Sequence, residues 1–210
     1  MENIDKTEPT LMANEKQFSS AEKYPKVHIG TLCDPSMRPN IPRISKFQMV
    51  SYEKFKEDIL KYNGDTFENN ELAIEQIYDD IKLPTRATMD SAGYDFYAPF
   101  SFKPEPHKGI IIPTGIRCRI EPGWVLKLYP RSGQGFKYGL QLYNTTGIID
   151  GDYFYSDNEG HIMVKITSKD FGDIIPKGQA FCQGVFTPYG ITEDDNVTEI
   201  RNGGLGSTTK

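Results

Sequence analysis

From Leu83-Pro84 onward the chain is cut into short apolar runs, each bounded by glycine or proline. They fall at 94–98, 109–112, 115–120, 124–129, 139–143, 161–167 and 181–188. Runs this short leave no room for a helix with its own apolar stripe, and their even spacing suits a β-barrel or jelly roll. The turns agree: Glu121-Pro122-Gly123 and Ile175-Pro176-Lys177-Gly178 each set a proline and a glycine ahead of a strand. The fold class expected is therefore mainly β.

The part before Leu83 reads differently. Residues 1–43 are polar and broken by Pro25, Pro35, Pro39 and Pro42, which predicts a partly disordered extension. A strand is predicted over 44–50. Ser51 is a helix N-cap candidate, with Tyr52, Phe55, Ile59 and Tyr62 at helical spacing behind it and Asn63-Gly64 as the stop. A second short helix is predicted over 72–78, with Ala73, Ile74, Ile77 and Tyr78 on one side. The organisation expected is an extension (1–43), a β domain (44–200) with a helical insertion near 51–80, and a flexible glycine-rich arm (201–210).

Bulk properties narrow the function. The formal net charge of the 210 residues is -5, which argues against a stable nucleic-acid binder. A small anion is not excluded, because a few arginines make a local positive site in an acidic protein. Three cysteines, Cys33, Cys118 and Cys182, lie far apart, so neither structural zinc nor a disulfide framework is expected, and a reducing compartment is. The first twenty residues are polar, and no apolar run reaches membrane-span length. The expectation is a cytoplasmic protein (host cytoplasm if viral) with no membrane contact.

Five segments carry candidate chemistry. In Asp90-Ser91-Ala92-Gly93-Tyr94-Asp95-Phe96, Asp95 stands among apolar neighbours; a carboxylate there is either satisfied by backbone donors or functional. In Pro130-Arg131-Ser132-Gly133-Gln134-Gly135, Arg131 can grip phosphate oxygens, Ser132 adds a hydroxyl, and a glycine-rich bend at Gly133 exposes backbone N–H groups; the alternative is a plain surface turn. From Asn144 to Tyr153, Asn144 and the main chain of Ile148 offer donors and acceptors for a pyrimidine edge. Gly147 permits close backbone approach, Asp150 is placed to act as a general base, and Tyr153 to lie against a sugar; the alternative is an ordinary hairpin. Gln183, near the start of an apolar strand, wants a partner such as a water or a phosphate oxygen. Arg201 and the glycine-rich tail, with Ser207 and Thr208, form an arm able to close over phosphates, or a disordered tail.

These five segments, in this order and at this spacing, resemble the motifs of the trimeric dUTP diphosphatase (dUTPase) family, over about Leu83 to Lys210. The resemblance implies a dUTPase-like jelly-roll β-barrel that forms a homotrimer with shared active sites. It implies hydrolysis of dUTP to dUMP and pyrophosphate with Mg2+, limiting uracil incorporation into DNA and supplying dUMP for thymidylate synthesis. By the same resemblance Asp150 orients the attacking water, with Gln183 near it, and Tyr153 lies under deoxyribose. Asn144, Gly147 and Ile148 read uracil, and Arg131, Ser132, Gly133 and Gln183 hold phosphate. Asp95 holds the magnesium shell indirectly, through water. Arg201, Gly204, Leu205, Ser207 and Thr208 form the closing arm. Leu205 stands where the family commonly has Phe, and Arg201 lies one residue nearer Gly203-Gly204 than usual.

Two other readings use the same fold. A dCTP deaminase needs a Glu proton shuttle on the strand after the hairpin, and 161–167 contains none. A nucleotide-dependent regulator would bind a protein partner through the extension or through an acidic insertion at 154–160, which carries Asp157 and Glu159. His28, His107 and His161 share no spacing and are expected on the surface.

Overall fold

The computed structural model describes residues 41–170, 173–201 and 203. The chain divides into two units, Met1–Pro42 and Arg43–Lys210, and the architecture below is that of the second. Strand β1 (Ser45–Met49) leads into helices α1 (Tyr52–Phe67) and α2 (Glu71–Asp79). Then come β2 (Thr85–Arg86), β3 (Tyr94–Tyr97), β4 (Ile110–Pro113), β5 (Ile116–Ile120) and β6 (Trp124–Pro130). A short helix α3 (Ser132–Tyr138) precedes β7 (Leu140–Leu142) and β8 (Gly147–Ile149). A 3-10 helix (Gly151–Tyr155), β9 (Met163–Ser168) and β10 (Ala180–Pro188) complete the order.

The strands form antiparallel sheets ordered β2-β3-β10-β6-β8 and β4-β9-β7, with β1 paired to β5. Apart from β2 and β3, neighbouring strands in these sheets are distant in sequence, as in a jelly roll. Alternation along the strands sends Phe96, Ile112, Ile116, Leu126, Leu128, Ile166 and Phe181 into one core. Gly184 belongs to that packing: a Cβ there would stand 2.8 Å from Leu126 Cδ1 and 3.0 Å from Phe96 Cε2.

The helical pair is part of this core. Phe55 and Ile59 of α1 and Ile74 of α2 are almost wholly buried, and each contributes roughly 1.5–3 kcal/mol by leaving water. Tyr78 lies 5.6 Å from Phe55 ring to ring, and its hydroxyl donates to the Val50 carbonyl at 2.7 Å. Asn63 does depart from helical geometry (φ -137, ψ 23), but α1 resumes beyond it to Phe67, which packs on Phe100 at 5.2 Å. Burial of Phe67 offsets the break, so Asn63-Gly64 is a kink and not a stop.

Ser51 caps α1 as expected, its Oγ accepting from Lys54 N at 3.2 Å. The other half of the cap comes from a distant segment. Glu159 accepts from Ser51 N at 2.8 Å and from Ser51 Oγ at 2.6 Å, doing what the acid of a capping box does locally. Burial works against the Glu159 charge, but the two Ser51 bonds and Arg117 hold its carboxyl below the ordinary range.

His161 is fully buried, against the expectation of a surface residue. Its Nδ1 meets Asp58 Oδ2 at 2.7 Å and its Nε2 accepts the Gly115 N–H at 2.8 Å. The Gly115 bond assigns the proton to Nδ1, so the ring is neutral and donates to the Asp58 carboxylate. Burial lowers the His161 pKa, opposed in part by Asp58. Burial alone would raise the Asp58 pKa, but the His161 contact, and then Lys54, bring it below its usual value.

The sign of the pH effect follows. Below the ordinary histidine value of about 6.5, the unfolded chain takes a proton at His161 that the folded chain refuses. Stability present above that value is lost as pH falls towards the lowered folded value. Asp58 adds a loss of the same sign below about pH 3.9. Melting temperatures should therefore fall between pH 7.5 and 5.5, and a His161→Gln variant should show a flatter profile over that window. Equal slopes in both proteins would remove His161 as the cause.

Candidate active site

The candidate residues fall into two groups on opposite stretches of β6. At its C-terminal end, Arg131 follows Pro130, and its Nη2 lies 3.3 Å from Asp95 Oδ2. Asp95 and Tyr129 stand opposite Gln183 on either side of β10. Gln183 Nε2 donates to the Pro130 carbonyl at 3.1 Å. Its Oε1 lies 2.7 Å from where a Cβ on Gly93 would be, so Gly93 is the vacancy that admits this side chain. Ser132 and Gly133 are exposed beside Arg131.

The glycine-rich bend expected there is a helix. α3 runs from Ser132 to Tyr138 and ends on Gly139 in the left-handed region (φ 59). Two internal glycines cost such a helix about 1 kcal/mol each. It forms because its ends are held: Arg131 N donates to the Phe181 carbonyl, and Gly139 N donates to the Gly135 carbonyl at 3.0 Å.

The second group lies on and after β8. Asn144 is exposed on the β7–β8 turn, where Thr145 takes φ 68. Ile148 is exposed and Gly147 is buried. The bare face of Gly147 is turned to Leu128, whose Cβ would lie 3.0 Å from an added Cβ, so this glycine lets β8 lie close on β6. Asp150 joins β8 to the 3-10 helix that carries Tyr153.

Arg201 comes to this second group. Its Nη2 is 2.6 Å from Asp150 Oδ2, and its Nε donates to Asp152 Oδ1 at 3.0 Å. Its guanidinium lies 5.7 Å from the centre of the Tyr153 ring. The ring is buried, and its hydroxyl donates inward to the His161 carbonyl at 2.7 Å. Gly204, Leu205, Ser207 and Thr208 lie outside the described residues.

The two groups do not meet within one chain. Ile149 pairs with Leu126, so Asp150 is level with Val125. Arg131 lies six residues further along β6, about 20 Å at ~3.3 Å per residue.

A family model for dUTPase matches residues 79–209. The chain belongs to the dUTPase family. The deoxyuridine 5'-triphosphate nucleotidohydrolase of Lactococcus lactis subsp. lactis is 40% identical over 134 residues, 61% of this chain and 88% of that protein. Its namesake from Dictyoglomus turgidum is 34% identical over 145 residues, 64% of this chain and 95% of that one. A mutant dUTPase of Staphylococcus bacteriophage 80alpha, solved with dUpNHpp, matches with a TM-score of 0.52 at 19% identity, over 77% of this chain and 100% of that one. That likeness extends the dUTPase fold to part of the chain before residue 79.

Several residues that shape the candidate site of this dUTPase-family chain carried no motif in the sequence. Asn158 donates to the Tyr153 hydroxyl at 2.8 Å. Glu159 turns inward to Ser51, so the acidic 154–160 segment presents Asp157 outward but not Glu159. Asp58 did leave a signal: it lies on the face of α1 that carries Phe55 and Ile59, and a carboxylate on an apolar face needs a buried partner.

Proposed function

We propose that this chain hydrolyses dUTP to dUMP and pyrophosphate. Asp150 carries the reading: a half-exposed carboxylate at the junction between the β8 hairpin and the Tyr153 ring, in a chain of the dUTPase family. Asn144 and the backbone at Gly147 and Ile148 read the uracil edge. Tyr153 lies under the deoxyribose. Asp150 orients water towards the α-phosphorus, and Arg131, Ser132, Gly133 and Gln183 hold the phosphate oxygens. The reaction removes a DNA precursor that would introduce uracil and supplies dUMP for thymidylate synthesis.

Arg201 must leave Asp150 before water can take its place, and a triphosphate is the anion that draws the guanidinium away. The arm that follows closes over the substrate. Deleting 201–210 should leave a folded protein with turnover lowered about a hundredfold. A truncated chain with full activity rejects the closing arm.

A homotrimer with shared sites is part of this proposal. A base and a phosphate clamp serving one reaction must converge on the same phosphorus. The span of about 20 Å along β6 separates Asp150 from the Arg131 group in one chain, which supports completion of each site by a second copy. Sedimentation of the protein alone measures this.

Among the described residues, no group of three or more His, Cys, Asp or Glu is placed to hold a metal ion. Asp95 offers a single carboxylate beside Arg131. That donor set fits a magnesium ion brought by the triphosphate, with Asp95 reaching its water shell. Bound there, the ion would offset charge on the phosphate oxygens.

Burial pushes the free thiols of Cys118 and Cys182 up to about 12, so both stay protonated. A cytoplasmic location is proposed from the scattered cysteines of the sequence, none of them in a C-x-x-C pair. No helix among the described residues is long and apolar enough to cross a membrane.

The discriminating experiment is pyrophosphate release from dUTP, dCTP, dTTP and UTP in parallel. Hydrolysis confined to dUTP is expected. Ammonia from dCTP would favour the deaminase, and binding without turnover would favour the regulator.

A further inference from the structure

The loop after the 3-10 helix holds the Tyr153 ring at its far end. The phenol hydroxyl has one proton to give, and it goes to the His161 carbonyl at 2.7 Å. The same oxygen accepts from Asn158 Nδ2 at 2.8 Å. The orientation of the Asn158 amide is set independently, because its Oδ1 accepts from the Gly160 N–H at 3.2 Å. The nitrogen must therefore face Tyr153. Backbone at one end and two hydrogen bonds at the other leave the ring little freedom to swing.

The loop is itself clamped. Glu159 and Gly160 take φ of 58 and 68, and a Cβ on Gly160 would stand 2.7 Å from both Phe154 Cα and the Tyr153 carbonyl oxygen. Ser51 holds Glu159, Asp58 holds His161, and Arg117 Nη2 donates to the Phe154 carbonyl at 2.7 Å. Helix α1 and β5 thus fix the segment that fixes the ring.

We propose that Asn158 is a positioning residue that sets discrimination against ribonucleotides, acting through the Tyr153 ring. The proposal rests on the reading that Tyr153 lies under the sugar. A protein surface excludes an added hydroxyl only if it does not yield, and a modest pocket rejects such a substrate weakly. A ring pinned at its hydroxyl resists the 2'-oxygen; a ring free to tilt makes room for it.

The experiment is the ratio of kcat/KM for dUTP to that for UTP, with binding of the unreactive α,β-imido analogues of both nucleotides as a second readout. Asn158→Asp keeps an acceptor for Gly160 N but removes the donor to Tyr153, and it sets two acceptors, Asp and the His161 carbonyl, against one phenol proton. The ratio should fall about tenfold, the scale of one lost hydrogen bond to a positioned group. Tyr153→Phe removes that bond from the other side, together with the bond to the His161 carbonyl, and should give a fall at least as large. The double variant should fall no further than Tyr153→Phe alone, because that change has already broken the contact with Asn158.

An unchanged ratio in folded Asn158→Asp, or additive losses in the double variant, overturns the proposal. Should Asn158→Asp not fold, Asn158→Ala, which also lacks the donor to Tyr153, takes its place: an unchanged ratio overturns, a fall supports. Tyr153→Ala separates this from the reading beneath it. If removing the whole ring leaves the ratio unchanged, the sugar contact itself is wrong. If Tyr153→Ala lowers the ratio and Asn158→Asp does not, only the positioning role fails.

Discussion

Asp150→Asn should lower kcat for dUTP by roughly a thousandfold, within the range that a positioned general base contributes. The expectation comes from place as well as residue type. The Asp150 side chain is about half exposed, and its charge is met by Arg201 at 2.6 Å until the guanidinium is drawn away. An amide is nearly the same shape and leaves the β8 hairpin intact, but it cannot take up a proton from water. Binding of an unreactive dUTP analogue should therefore survive. Steady-state kinetics with a binding titration check both parts. Turnover within a few-fold of the parent protein would remove Asp150 from the chemistry.

Asp58→Ala should be the most damaging single change to stability outside the apolar core, at about 3 kcal/mol. The change leaves the buried His161 Nδ1–H without its acceptor and deprives Lys54, 3.2 Å away, of a counter-charge. For a domain of this size that is a fall in melting temperature of roughly 6–12 °C. Measurements belong at one protein concentration, since association would also shift the transition. Asp58→Asn, which can still accept from His161, should lose less. A loss under about 0.5 kcal/mol for Asp58→Ala, the size of an ordinary surface change, would show that the buried contact contributes little.

The two predictions meet in one segment. Asp58 holds His161, the His161 carbonyl holds Tyr153, and Tyr153 stands three residues after Asp150. A helical insertion that resembles an accessory to the β domain is thereby tied to the wall of the proposed nucleotide site. Damage at Asp58 should consequently reach discrimination as well as stability.

Much of the fold was legible because its signals are local. The strands at β3, β5, β6, β9 and β10 lie within two residues of the runs read from the sequence, since alternation and the bounding glycines and prolines act over a few positions. Ser51 was legible as a cap for the same reason. The helix α3 was not, because Gly133 and Gly135 argue against it and the contacts that impose it come from β10 and the left-handed Gly139. Gly147 was legible as a place needing closeness, but what it lies close to in the chain is Leu128.

By itself the sequence determined a mainly β chain, the places of most of its strands along the chain, and its resemblance to the dUTPase family, because each is written in short stretches. Only the tertiary structure decided that His161 is buried on Asp58, 103 residues away, that Asn158 pins Tyr153, and that Asp150 and Arg131 stand at opposite ends of β6. A hydrogen bond between distant segments has no period and no spacing. It exists only once burial has excluded water and left each polar group to find the partner that the fold brings to it.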